Sequence, residues 1–392
     1  MFSLRRHVHA WSLPLNTEAE LADWVSERLA DPLPQNRPHW CFHVRRVASG
    51  PTALLLRIHH CYADGLSLLG VFDHLCTCTP EDEPRAPNVD TQALRQQWFD
   101  ESRAWLLRHV RLGGMPAGAG DVPAQAVSSA PESLEKLAHQ GLRLINELTQ
   151  YLLEPPDSPS ALRKPLSGRK RCAWSAPRPL AAFAQAARQT GARINDVLLA
   201  CVAEAMHLHL KACGEDPRDL ILHAAVPVDL RPMLDEKLRP PPGTLGNLFG
   251  TVFVPLPVDA DSPLERLFRV KHETRRLKQS WQPGISWGLL CSAGLLPRDW
   301  QSSLVDLFSR KATAVVSNVP GTREPRYLAG CRVREQMFWV PQSGQIGVGV
   351  SILSYAGQVQ FGVIADEAVL PDPAVFVEHC ARTLDHWPEM RR

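Results

Sequence analysis

Apolar residues along this chain recur first at a spacing of three to four and then at a spacing of two, so helices and strands alternate. Thr17-Glu18-Ala19-Glu20 has the form of a capping box, and Leu21, Trp24, Val25 and Leu29 follow at helical spacing until Pro32 blocks continuation. Trp40, Phe42 and Val44 alternate as one face of a strand. After the turn residues Gly50 and Pro51, TALLLRIHH (52–60) reads as a second strand, apolar enough to be buried on both faces. Leu66, Leu69, Phe72 and Leu75 then open a helical run.

From Pro80 the composition turns acidic and proline-broken, followed by a helical run around Trp98 and Trp105 and a stretch (113–133) rich in Gly, Ala, Pro and Ser that reads as a mobile loop or linker. A helix near 134–153 leads into a proline-rich connection at 155–165. That connection is the expected boundary between an N-terminal lobe (1–160) and a C-terminal lobe (161–392). Helices are expected at 180–190, 195–212, 263–280 and 373–384, and strands at 220–228 and 251–258. A strand cluster is expected over 312–364, broken by Gly330, Gly344 and Gly357. Strands in both halves with helices between them define an α/β or α+β chain with mixed sheets.

Composition narrows the possibilities. At 392 residues, with 44% hydrophobic and 21% charged residues, the chain is neither a disulfide-stapled miniprotein nor disordered. Forty-three Lys and Arg against 41 Asp and Glu is too balanced for a dedicated nucleic-acid binder. The first residues carry no signal-peptide apolar run and no segment approaches 18 uninterrupted apolar residues, which predicts a soluble or peripheral protein. The ten cysteines are scattered without zinc-ligand spacing, as reduced and mostly buried thiols of a cytosolic protein would be.

The chemistry concentrates in HHCYADG (59–65), where an apolar strand gives way to a helix. By alternation His60 shares a face with Leu54, Leu56 and Ile58, and His59 lies on the other, so the two imidazoles do not easily reach one substrate atom. Asp64 is placed to fold back on the loop or toward a basic partner, and Gly65 permits a tight or positive-φ turn. A histidine with an ordinary pKa near 6.5 suits general-base work at neutral pH. Two adjacent histidines alone also fit a buried hydrogen-bonded pair or a metal-ligand fragment, but the chain offers no further ligands at recognisable spacing, so no metal is implied.

HHCYADG resembles the HHxxxDG signature of the coenzyme A-dependent acyltransferase superfamily. INDVLLACVAEAM (194–206), LGNLFG (245–250) and SNVPG (317–321) resemble segments of bacterial wax ester synthase/diacylglycerol acyltransferases. Pro38-His39-Trp40 stands where that family has Pro-Leu-Trp, and a first strand-helix unit of the N-terminal lobe is expected to be lacking.

The resemblance implies a two-lobed, chloramphenicol acetyltransferase-like fold that moves a fatty acyl group from acyl-CoA to diacylglycerol or a long-chain alcohol. It implies no cofactor, the acyl-CoA being a substrate, and it places the protein in the cytoplasm with peripheral contact to a membrane or lipid droplet. His60 would be the general base and His59 structural. Asp64 would hold the loop through a salt bridge to Arg231 or Arg57. Asn195 and Asp196 read as a helix cap and, by resemblance, as catalytic support. Asn247, Ser317 and Asn318 read either as turn residues or as donors to a developing oxyanion. The apolar run 288–297, with Trp281 and Trp287, reads first as core and otherwise as an acyl tunnel or bilayer contact, and the basic run 269–278 first as a solvated helix face and otherwise as a contact for anionic lipid or the phosphates of coenzyme A. Two other readings share the heptad: a condensation-type acyltransferase fed by a carrier protein, and a non-catalytic acyl- or lipid-binding remnant.

Overall fold

A computed structural model of the chain describes residues 3–48, 50–83, 146–234, 245–294 and 296–387. The expected helical run around Trp98 and Trp105, the expected linker at 113–133 and the first part of the helix expected at 134–153 lie outside them. Residues 146–153 are helical.

The first unit is a three-stranded sheet of β1 (Val8–Leu15), β2 (Trp40–Val47) and β3 (Thr52–Ile58), in that order, with β1 parallel to β2 and β2 antiparallel to β3. Helix α1 (Glu18–Ala30) follows β1, and α2 (Gly65–Leu75) follows β3. Thr17 caps α1 by accepting from the Glu20 N–H at 3.1 Å, and Glu20 reaches back to the Asn16 N–H at 2.8 Å. The capping-box reading therefore holds, with the return bond displaced by one residue.

The larger sheet has seven strands: β4 (Lys170–Trp174), β12 (Gln358–Asp366), β11 (Val348–Tyr355), β8 (Ala314–Pro320), β6 (Leu222–Asp229) and β7 (Phe249–Leu256) in spatial order, with β5 (Arg178–Pro179) beside β12. β8 runs parallel to β6 and β11, and the other pairings are antiparallel, so the sheet is mixed. A short ribbon, β9 (Tyr327–Leu328) with β10 (Cys331–Arg332), lies apart. One face carries α3 (Leu180–Thr190), α4 (Ile194–Ala212), α5 (Pro263–Lys278) and α8 (Pro373–Arg382), packed on the main core. Helix α4 is the centre of that layer: Val197 to Ala203 are at most 3% exposed, as are Met206 and Leu210.

The other face receives α6 (Gln282–Ala293), followed by α7 (Arg298–Ser309). α6 sits directly on β7, because Gly250 has no side chain to hold it off: a Cβ there would fall 1.9 Å from the Pro283 carbonyl oxygen. The two sheets meet through α1, whose Trp24 and Val25 join Leu15, Leu55, Cys172 and Ile364 in one cluster. A buried Trp in such a seam is typically worth roughly 3–5 kcal/mol on truncation to Ala.

Three expectations change. β3 is half-buried on both faces, with only Leu55 fully buried, where it joins the α1 cluster. The run 288–297 is not core: Leu290 is 50% and Leu296 39% exposed. Five of the ten cysteines, Cys61, Cys78, Cys213, Cys291 and Cys331, are exposed, and all ten are free.

Candidate active site

The heptad begins where β3 stops. The His59 N–H donates to the His39 carbonyl at 2.9 Å, the Tyr62 N–H donates to the His59 carbonyl at 3.2 Å, and the Cys61 N–H donates to His59 Nδ1 at 3.2 Å. Residues 59–62 therefore form a turn, and the strand's two-residue alternation does not reach His60. An acceptor Nδ1 places the proton of neutral His59 on Nε2 and commits that ring to the turn. His59 is exposed, whereas His60 is part-buried with its ring edge-on to Phe249 of β7, centroids 5.9 Å apart.

Asp64 is where the two halves lock. It caps α2 by accepting from the Ser67 N–H at 3.0 Å, and its other oxygen accepts from the Leu248 N–H at 2.9 Å and from Arg231 Nη2 at 2.7 Å. Its own N–H donates to the Gly246 carbonyl at 3.0 Å. Arg231 also reaches Asp229 at 2.8 Å and the Ser67 hydroxyl at 2.8 Å. Burial pulls the guanidinium pKa down, but the hydrogen bonds and charges of Asp64 and Asp229 outweigh that and hold it above its ordinary value. Arg57, the other candidate partner, donates instead to the Asp31 carbonyl. Gly65 is the first residue of α2 and does not carry a positive φ; the left-handed backbone sits at Gly246, φ +147°.

Asn247, between these two anchoring residues, donates its side-chain amide to the His60 carbonyl at 3.0 Å. The far end of α2 is tied down as well: Asp73 pairs with Arg326 Nε at 2.6 Å, and Thr77 and Tyr327 exchange both backbone hydrogen bonds. The helix after the heptad is thus clamped at each end to the second half of the chain.

Along β8, Ala314 and Val316 belong to the core shared with α4, while Val315 packs on the opposite face with Phe253. Ser317 and Val319 follow Val315, and a Cβ on Gly65 would lie 3.5 Å from Val319 Cγ2, so this face meets the heptad. Asn318 turns to the other face, where its Nδ2 donates to Asn195 Oδ1 at 3.0 Å. The structure therefore gathers Asn247, Ser317 and Val319 on the heptad side and pairs Asn195 with Asn318 on the helix side.

Asn195 is not the cap of α4. That place is held by Arg193, whose N–H donates to Asp196 at 2.8 Å; the other oxygen of buried Asp196 accepts from the Thr274 hydroxyl at 2.7 Å, bracing α4 on α5. Sequence reasoning missed Asp229, Ser67 and the Asp73–Arg326 pair; for Asp229 the only signal was an acid two residues before Arg231.

The wax ester synthase/diacylglycerol acyltransferase catalytic domain matches residues 1–198, and the WS/DGAT C-terminal domain matches residues 245–387. A Mycobacterium tuberculosis (strain ATCC 25618 / H37Rv) protein named as the diacylglycerol O-acyltransferase tgs1 is 29% identical over 378 residues, covering 95% of this chain and 76% of its own. A second relative from that strain, also named a diacylglycerol O-acyltransferase, is 30% identical over 381 residues, covering 93% and 76%. The solved wax ester synthase/diacylglycerol acyltransferase of Marinobacter aquaeolei VT8 superposes with a TM-score of 0.62 at 19% identity over 98% of this chain and 80% of that one. On these matches the chain belongs to the wax ester synthase/diacylglycerol acyltransferase family.

Proposed function

We propose that this acyltransferase moves a fatty acyl group from acyl-CoA to the hydroxyl of diacylglycerol or a long-chain alcohol, with His60 as general base. One observation supports this most directly. The heptad's turn is tied to the second half of the chain through Asp64, Arg231 and Asn247, so His60 is presented at the junction of the two halves, beside Phe249, while its backbone is fixed. His60 would take the proton of the acceptor hydroxyl as that oxygen attacks the thioester carbonyl, and would return it to the coenzyme A thiolate as the C–S bond breaks. His59 stays in its turn, and Asp64 shapes the loop without touching substrate.

The negative charge that develops on the carbonyl oxygen needs donors on the heptad side. Ser317 on β8 is the candidate for that role, because Asn247 already spends an amide proton on the His60 carbonyl and Asn318 is turned away. The thioester itself supplies the activation, so the protein contributes positioning and a base. The test is release of coenzyme A from a long-chain acyl-CoA with diacylglycerol or hexadecanol present; acceptor-independent release, or none, would count against the proposal.

A further inference from the structure

Large apolar side chains are left in the open on one continuous piece of this chain. Trp281 is 51% exposed, Leu290 50%, Leu296 39%, Trp300 67%, Val305 42% and Leu307 44%. α6 contains no charged residue, and on α7 Trp300, Leu304 and Leu307 recur at helical spacing. The inward faces of both helices are accounted for. Ile285, Leu289 and Phe308 pack toward Phe253 and Ile346, and Pro283 rests on the bare backbone of Gly250. α6 is therefore seated on β7, α7 is joined to it and to the same cluster through Phe308, and both leave apolar side chains outward. Trp287 of the same α6 packs with Leu230 and Leu248, next to Arg231 and Asn247 of the heptad's anchor.

We propose that the α6–α7 face docks on a lipid surface whose headgroups are anionic. The charges flanking this face favour that occupant. Between residues 273 and 310 lie five cations (Arg275, Arg276, Lys278, Arg298 and Arg310) against three carboxylates (Glu273, Asp299 and Asp306), with Arg276 paired to Glu273 at 2.9 Å and Glu147 accepting from the Trp281 N–H, while the whole chain nets only +2. Arg275, Arg276 and Lys278 are exposed in the last turn of α5, just before Trp281, and Arg298 is exposed two residues before Trp300. Tryptophan with leucine on one side and basic residues at the margin is the composition of a helix lying in a membrane interface. No helix among the described residues is long and apolar enough to cross a membrane, so contact through this face would be peripheral. The choice of a lipid occupant rests on the acceptor proposed above, which is itself dissolved in lipid.

The test is co-sedimentation of the full chain with phosphatidylcholine vesicles with and without phosphatidylglycerol, comparing wild type with the double variant Trp300→Ser/Leu307→Ser. Wild type is expected to bind the anionic vesicles and to release in high salt, and the double variant to bind roughly tenfold less or worse. Turnover with a short water-soluble alcohol should be unchanged in the double variant. Should that variant fail to fold by circular dichroism, the single Trp300→Gln change, at a position already 67% exposed, carries the comparison. Equal binding by wild type and variant, or no binding by wild type, overturns the proposal. So does a wild-type dimer in light scattering that the variant dissolves, since a second copy would then cover the face. Vesicle binding without turnover would instead count against the acyl-transfer reading and leave the docking face standing.

Discussion

Replacing Asp64 by Ala separates a loop-holding carboxylate from a chemical one. The side chain is 7% exposed and serves three donors. Losing the α2 cap costs about 1 kcal/mol, and leaving the Leu248 N–H buried without an acceptor costs about 1–3 kcal/mol. Arg231 keeps Asp229 and the Ser67 hydroxyl, so its loss is small, about 1 kcal/mol or less. Asp64→Ala is therefore expected to lose about 3–4 kcal/mol, a large part of a typical total stability. Asp64→Asn keeps the cap but turns an amide N–H2 toward the Leu248 N–H and Arg231, and is expected to lose about 2–3 kcal/mol. Urea denaturation followed by tryptophan fluorescence reads these losses, and coenzyme A release reads activity, which should fall in both variants because the turn carrying His60 loosens. An Asp64→Ala protein with an unchanged midpoint and no activity would refute the reasoning and assign Asp64 to the chemistry.

Gly250→Ala drives a methyl into the Pro283 carbonyl, so α6 must lift from β7; a loss of roughly 1–3 kcal/mol is expected in the same denaturation assay, and an unchanged midpoint would show that α6 is not held there. His43, 6% exposed, has its pKa lowered to about 4, first by burial and then by His9 and by Arg57 and Arg28, against a raising effect of Asp31. Its neutral form is favoured in the fold, so the stability it contributes is complete above about pH 6.5 and is lost as pH falls toward 4. His43→Leu should flatten that part of the stability-versus-pH curve, and an equally steep variant would contradict the assignment. His59→Ala, which loses only the Cys61 N–H bond within the turn, should keep more acyl-transfer activity than His60→Ala.

Regular, amphipathic elements were legible in the sequence. The expected helix at 180–190 has the bounds of α3, and β6, β7, α5 and α8 fall within two residues of expectation at every end. Local periodicity suffices where one face meets a continuous core. It fails where a tertiary partner decides. Asn195 looked like a cap, but Asp196 reaches back to the Arg193 N–H and starts the helix earlier. The alternation that placed His60 on a strand face stops at Ile58, because the His59 N–H is drawn to His39 from the entry to β2. The apolar run 288–297 carries the composition of a core and lies outside it, since nothing in a one-dimensional pattern marks which side of a helix its neighbours occupy. The choice between Arg57 and Arg231 depended on a contact spanning 167 positions.

The most direct test of the account is the rate of coenzyme A release from a long-chain acyl-CoA in the presence of diacylglycerol, for wild type and His60→Ala at matched stability. His60 carries no structural hydrogen bond through its side chain among the described contacts, so its removal should leave the melting profile intact and lower the rate by roughly 10²–10⁴-fold. A folded His60→Ala protein that transfers acyl groups at the wild-type rate would contradict the assignment of His60 as the base.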